Sequence, residues 1–127
     1  MDPAPQLQDA ELRPLIERFY ERVRADPLLG PVFAEAVHDW ADHHARLADF
    51  WSSVMLGSGR YKGNPVALHM RHADAMTAER FERWLALWQQ TSDEMLSPSV
   101  AAALQIKASH IAESLALAIQ YRRPIPA

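Results

Sequence analysis

With 127 residues, the chain fits one domain, 1–127, with a continuous core and one site, and is too short to hold a separate cofactor-reducing module as well. A net charge of −3 with 23% charged residues leaves no basic excess for displacing counterions from phosphates, which argues against a nucleic-acid partner. The absence of cysteine removes disulfides, iron–sulfur clusters, thiolate-ligated haem, covalent c-type haem attachment and cysteine zinc sites, so any metal must be held by His, carboxylate or Tyr.

The first segment, "MDPAPQLQDAEL", has neither a basic start nor an apolar run, and nowhere does the chain approach the roughly 20 apolar residues that span a bilayer. A soluble, cytoplasmic protein with no membrane partner is expected. In "ELRPLIERFYERVRAD", Leu12, Leu15, Ile16, Phe19, Tyr20 and Val23 recur at spacings of three and four, one stripe of an amphipathic helix whose main part is expected to start at Pro14. "DPLLGPVF" breaks it with two prolines and a glycine. A second long helix opens at Asp39, turns His43, Leu47, Phe50, Trp51, Val54 and Met55 inward, and ends at Gly57. After the loop "SGRYKG", the stretch "GNPVALHMRH" predicts a short helix capped by Asn64, with Pro65 in its first turn and Val66, His69, Met70 and Ala73 on one face. Thr77 caps the next helix, which stripes Phe81, Trp84, Leu85, Trp88 and Met95. Ser97 and Pro98 open the last, with Val100, Leu104, Ile111, Leu115 and Ala118 or Ile119 inward, ending near the "RRP" after Tyr121. No stretch alternates like a strand, and an all-α domain is expected.

Among these inward positions Tyr20, His43, His69 and Trp84 all carry hydrogen-bonding atoms. Each has an ordinary reading. A lone inward histidine is most often a satisfied core residue, Tyr20 can reach the surface with its hydroxyl, Trp84 can be core, and His43 can sit at a boundary beside a solvated His44 and Asp42. Together they suggest a shared pocket. A haem held by one neutral imidazole uses such a set: one histidine on its proximal side, large apolar and aromatic residues against its faces, and donors on the other side for a ligand that gains negative charge on binding. His69 would be the iron ligand, with Tyr20 and Trp84 as donors.

The segments "FYERVRADPLLGPVF", "WADHHARLADFWSSVMLGSGRYKGNP", "LHM" and "FERWLALW" resemble, in order and spacing, the truncated haemoglobins of the third group, over most of residues 12 to 95. The resemblance implies a shortened globin fold in which two pairs of helices, 2-on-2, sandwich a b-type haem. It makes the histidine after "GNPVAL", His69, the proximal ligand, Tyr20 in "RFYERV" the distal tyrosine, His43 in "WADHHARL" the distal-helix histidine, and Trp84 in "FERWLAL" the tryptophan that reaches the bound ligand. Phe33, Leu47, Phe50 and Trp51 match residues lining the haem, and Arg46 matches a basic residue that reaches a haem propionate. The paired-glycine motifs of the first two groups are absent, as in the third. His72 has no counterpart in the family: a propionate contact, a cap and plain solvation all stay open, the last favoured.

The resemblance implies binding of O2 and other diatomic ligands, NO and CO. It allows O2 transport or handling, NO dioxygenation, or peroxidase-like turnover, the enzymatic roles drawing electrons from an external reductase. His43, at the start of its helix beside Asp42, is expected to gate the pocket or act as a transient sixth ligand.

Other classes fit less well. A di-iron bundle needs Glu-x-x-His on two helices, and only "EAVH" occurs, in a short connection. "HMRH" lacks the Glu and the i, i+4 histidines of a zinc hydrolase, and "GSGRYKG" lacks the third glycine and the preceding strand of a dinucleotide fingerprint. The main rival is a cofactor-free helical interaction domain whose aromatics are all core, and a Soret band separates the two.

Overall fold

Gln8 and Glu11 start the first helix: the Glu11 carboxylate accepts from the Gln8 backbone N–H at 2.8 Å, satisfying a donor that the helix itself leaves unpaired. The computed structural model of the chain describes residues 6–65, 69 and 71–122. Among the described residues there are five α-helices, one 3-10 turn and no strand. They are α1 (Asp9–Ala25), α2 (Gly30–Ala36), α3 (Trp40–Leu56), α4 (Ala78–Met95) and α5 (Pro98–Arg122), with the 3-10 turn at Ala73–Ala75 between α3 and α4.

Pro14 lies inside α1 and does not open it. Only one intrahelical bond is forfeited there, near a helix start that the Gln8–Glu11 cap already holds. "DPLLGPVF" likewise does more than interrupt: it forms α2, with Pro31 in the first turn, where its missing N–H costs nothing. Gly30 is needed at that bend, since a Cβ there would stand 2.7 Å from the carbonyl oxygen of Arg24. Asp39 caps α3 by accepting from the Asp42 N–H at 3.1 Å, and Gly57 ends it in the left-handed conformation, φ 70°. Thr77 caps α4, accepting from the Arg80 N–H at 3.3 Å.

α1 packs against both α3 and α4, and α4 packs against α5. The helices thus form two pairs, α1 with α3 and α4 with α5, joined through the α1–α4 contact. Leu12, Leu15, Ile16, Phe19 and Val23 of α1 meet Trp51 of α3, Leu87 and Trp88 of α4, and Val100, Leu104 and Ala108 of α5 in one apolar cluster. Burial of each large side chain contributes roughly 1.5–3 kcal/mol. Trp88 is the hub, with Trp51 stacked on it at 4.7 Å and Phe19 edge-on at 4.9 Å. Its indole N–H donates to the Leu104 carbonyl at 3.3 Å, so the buried polar atom is satisfied.

On α3 and α4 two residues placed inward by spacing are exposed, Val54 at 38% and Met95 at 40%. Both lie near the C-terminal ends of their helices, where the stripe runs past its partner. On α4 the buried positions after Trp88 are Thr91 and Ser92, whose hydroxyls donate back to the Leu87 and Trp88 carbonyls, each at 2.7 Å. The same hydroxyl oxygens accept from Arg22 of α1 at 3.0 Å and from Gln105 of α5 at 2.9 Å, so both polar side chains are satisfied in the core, and apolar patterning misses them.

Candidate functional site

α1 carries Tyr20 next to Phe19 on its core-facing stripe, and the side chain is 5% exposed. The Trp84 side chain on α4 lies beside the Tyr20 hydroxyl. An indole N–H only donates, so toward Trp84 the phenol oxygen can only accept and its own proton is left for another acceptor. Burial pushes the phenol up to about 12, the nearby Trp84 side chain opposing this in part. Tyr20 is therefore a neutral O–H donor at any physiological pH. Around it lie Phe33 of α2 at 5.5 Å, Trp40 at 5.8 Å, His43 at 5.2 Å and His44 at 6.2 Å between ring centroids.

His43 is half-buried, and its Nε2 is fully buried without a hydrogen-bond partner among the described residues. Burial, with the charges of His44, His69 and Arg46, lowers it to about 4, while Asp42 acts in the opposite sense. It is thus a neutral imidazole with an uncommitted nitrogen beside a phenol. His44, expected to be solvated, is half-buried as well, and its Nε2 also has no partner among the described residues. The reason is Trp40: its ring lies 5.7 Å from His44 and 5.4 Å from His43, under the Arg24 guanidinium at 4.5 Å, and roofs the start of α3. Trp40 and His44 were not singled out in the sequence, and the only signal for them was the run "WADHH" at a helix start.

His69 is exposed, not turned into the apolar core as the spacing suggested. Val66 and Met70, expected on its face, lie outside the described residues. Spacing identifies the shared face of an expected helix but not what covers that face. Its Nδ1 lies 2.6 Å from the Pro65 carbonyl oxygen. A carbonyl cannot donate, so in the neutral ring Nδ1 carries the proton and Nε2 keeps its lone pair. His69 is also near enough to His43 for its charge to be felt there. His72 is exposed and makes no side-chain cap for the turn that follows.

Phe33, Leu47 and Phe50 are half-buried at the edge of the core. Trp51 is 3% exposed and stacked on Trp88, inside the core itself. Arg46 is exposed and paired with Asp42 one turn back, at 2.9 Å. Tyr61, which the sequence reading passed over in a polar loop, packs edge-on against Phe50 at 5.4 Å. Its N–H donates to the Ser53 hydroxyl at 2.9 Å, and Arg60 beside it bonds Asp9 at 2.7 Å and Asp49 at 3.2 Å. These contacts tie the segment before Pro65 to α1 and α3.

Among the described residues no three His, Asp or Glu side chains are grouped to hold a bare metal ion. A haem, which brings four of its own ligands and asks the chain for one imidazole and apolar cover, suits what is present. The observations that fit it are the Nδ1–carbonyl contact of His69, which leaves Nε2 as the coordinating atom, the uncommitted Nε2 of His43, and Phe33, Leu47 and Phe50 at the core's edge.

Residues 8–120 match the model of the family described as bacterial-like globin. The chain is 34% identical over 109 residues to a group 3 truncated hemoglobin of Campylobacter jejuni, covering 80% of this chain and 85% of that protein. The crystal structure of a group III truncated hemoglobin from Campylobacter jejuni superposes with a TM-score of 0.80 at 29% identity, covering 93% of this chain and 95% of the other. With the paired-helix architecture and a site suited to haem, these matches place the chain in the bacterial-like globins as a haem-binding truncated haemoglobin of the third group.

Proposed function

We propose that the chain, 1–127, is a single cytoplasmic domain that carries haem b on His69 and binds O2 and other diatomic ligands, NO and CO among them. The observation that carries this reading is the buried Tyr20 phenol, beside Trp84, with the His43 Nε2 next to it that has no partner among the described residues. When bound, the haem supplies an iron that coordinates a diatomic ligand and exchanges electrons. The chain's residues do the rest. His69 Nε2 ligates, its ring oriented by the Pro65 carbonyl. Phe33, Leu47 and Phe50 supply apolar cover, with Trp51 behind Phe50 in the core, and Arg46 exchanges its Asp42 partner for a propionate.

Trp84 holds the Tyr20 oxygen, which aims the phenol proton at a ligand with charge on its outer atom. His43, neutral and close to the protein's edge, swings between pocket and solvent and so gates access or ligates transiently. NO dioxygenation or peroxidase-like turnover on this site draws electrons from a separate reductase. Among the described residues no helix is long and apolar enough to cross a membrane.

Absorption spectra of the ferric, ferrous and CO-bound protein, with a pyridine haemochrome assay, test the haem and its type; a protein purified without a Soret band would support the cofactor-free alternative. NO consumption with a reductase supplied then separates dioxygenation from simple binding.

A further inference from the structure

α5 presents to solvent a face that is complementary to itself. Ile106, 60% exposed, Leu117, 47%, and Tyr121, 83%, are three of the six large apolar side chains exposed among the described residues. All three lie on the side of α5 opposite its buried stripe of Val100, Leu104, Ala108 and Leu115. Taking 100° per residue, Ile106 and Leu117 fall within about 10° of the mid-line of that outward face, His110 and Glu113 within about 30°, and Ala102 and Tyr121 within about 50°.

The order of these residues is palindromic in character. About a point between Ile111 and Ala112, Ile106 stands as far on one side as Leu117 on the other, His110 as far as Glu113, and Ala102 as far as Tyr121. We infer that α5 is an interface with a second copy of this chain, the two α5 helices packing antiparallel about a two-fold axis that passes between His110 and Glu113 on the outward face, level with Ile111 and Ala112. A two-fold axis places each residue against its mirror position; Ala103 then faces the partner's Gln120 without a specific contact, and the other three pairs match. Ile106 meets the partner's Leu117, apolar on apolar. His110, whose ring N–H donates, meets the partner's Glu113 carboxylate. Ala102 leaves space for the partner's Tyr121. Each contact occurs twice.

Another protein or a lipid surface does not explain this pairing. It would have no reason to meet a basic and an acidic group placed symmetrically between two apolar ones, whereas a second copy in the opposite direction meets all of them. One exposed helix face is at the small end of specific interfaces, so the dimer is weak, with a Kd on the order of 10 µM to 1 mM.

Sedimentation velocity of the full-length holoprotein over a concentration series crossing that range tests the inference. The wild type should shift from monomer to dimer. Ile106→Glu, at an exposed position that leaves the Soret band and the helical content unchanged, should raise the Kd at least tenfold, and so should His110→Glu, which sets two carboxylates against each other twice. The exchanged pair H110E/E113H restores opposite partners and should return the Kd to within about threefold of the wild type. A wild type that stays monomeric throughout, a dimer indifferent to Ile106→Glu and His110→Glu, or an exchanged pair no better than His110→Glu would each overturn the inference.

Discussion

The rings of Tyr20 and His43 meet edge to face, 5.2 Å between centroids and 83° between planes, one on α1 and the other on α3. The phenol is buried and raised to about 12, and the imidazole is half-buried and lowered to about 4, so both are uncharged at neutral pH. They differ in what is free. The phenol has a proton to give, the indole beside it being able only to donate, and the imidazole has a buried nitrogen with no partner among the described residues.

Replacing Tyr20 with Phe removes that proton and keeps the ring. O2 dissociation should speed up several-fold to more than ten-fold, the loss of a hydrogen bond worth roughly 1–2 kcal/mol. CO, with less charge on its outer atom, should respond less. Trp84→Phe should act in the same direction by releasing the Tyr20 oxygen. Stopped-flow displacement of O2 measures both, and unchanged rates in both variants would remove this pair from the ligand site.

His43→Ala should raise the association rates of CO and O2 and abolish any six-coordinate low-spin fraction in the ferric spectrum. Its effect on O2 dissociation should be smaller than that of Tyr20→Phe. Flash photolysis separates these rates, and a variant that binds no faster but loses O2 far sooner would make His43 a direct donor to the ligand instead of a gate.

His69→Gly should abolish the five-coordinate ferrous spectrum or the haem itself, and added imidazole should restore it in part, because the missing group is a single nitrogen donor. His72→Ala should leave the spectrum intact, His72 being an exposed side chain that caps nothing. Haem titration followed in the Soret region compares the two, and the opposite ranking would move the iron ligand to His72.

His43 should also make the protein sensitive to acid. Its folded value, about 4, lies below the ordinary histidine value of 6.5. The unfolded chain therefore takes up a proton first, and stability falls as pH drops from about 6.5 toward 4. The full shift would be worth more, but the ring is partly solvated, so a loss of about 1–2 kcal/mol is expected. His43→Leu should lose less stability than the wild type between about pH 7.5 and pH 5 in urea unfolding. Equal losses would mean that the ring titrates freely in the folded state.

Asp26 joins α1 to α2 and α4. Its carboxylate accepts from the Leu28 and Leu29 N–H groups at 3.0 Å each and from Arg83 at 2.6 Å. Burial acts to raise Asp26, but the Arg83 and backbone bonds outweigh it and hold the group below the ordinary carboxylate range. The stabilisation is therefore complete above that range and is lost as pH falls through the lowered value. Asp26→Ala leaves the backbone donors behind and should cost about 2 kcal/mol, read as a lower urea midpoint at neutral pH and a smaller difference from the wild type in acid.

The amino-acid sequence by itself determined the four long helices, while the short α2 was legible only as a break between two of them. Asp39, Gly57, Thr77 and Pro98 mark helix ends that depend on local backbone chemistry, and the spacing of Leu12, Leu15, Ile16 and Phe19 depends only on 3.6 residues per turn. Tyr20, His43 and Trp84 could be read as a set because each puts a polar atom on an otherwise apolar stripe. Tertiary structure decided what those stripes face. Trp51 could have lined a pocket or filled the core, and it stacks on Trp88 because α3 and α4 both pack on α1. His44 looked solvated beside Asp42 until Trp40 was found over it. His69, on an apolar-looking face, is exposed, because inwardness requires a partner surface and that surface comes from helices distant in sequence. Local propensity and periodicity act over a few residues and are written in the chain, whereas burial, ring contacts and lowered imidazole basicity arise only where distant segments exclude water from one another.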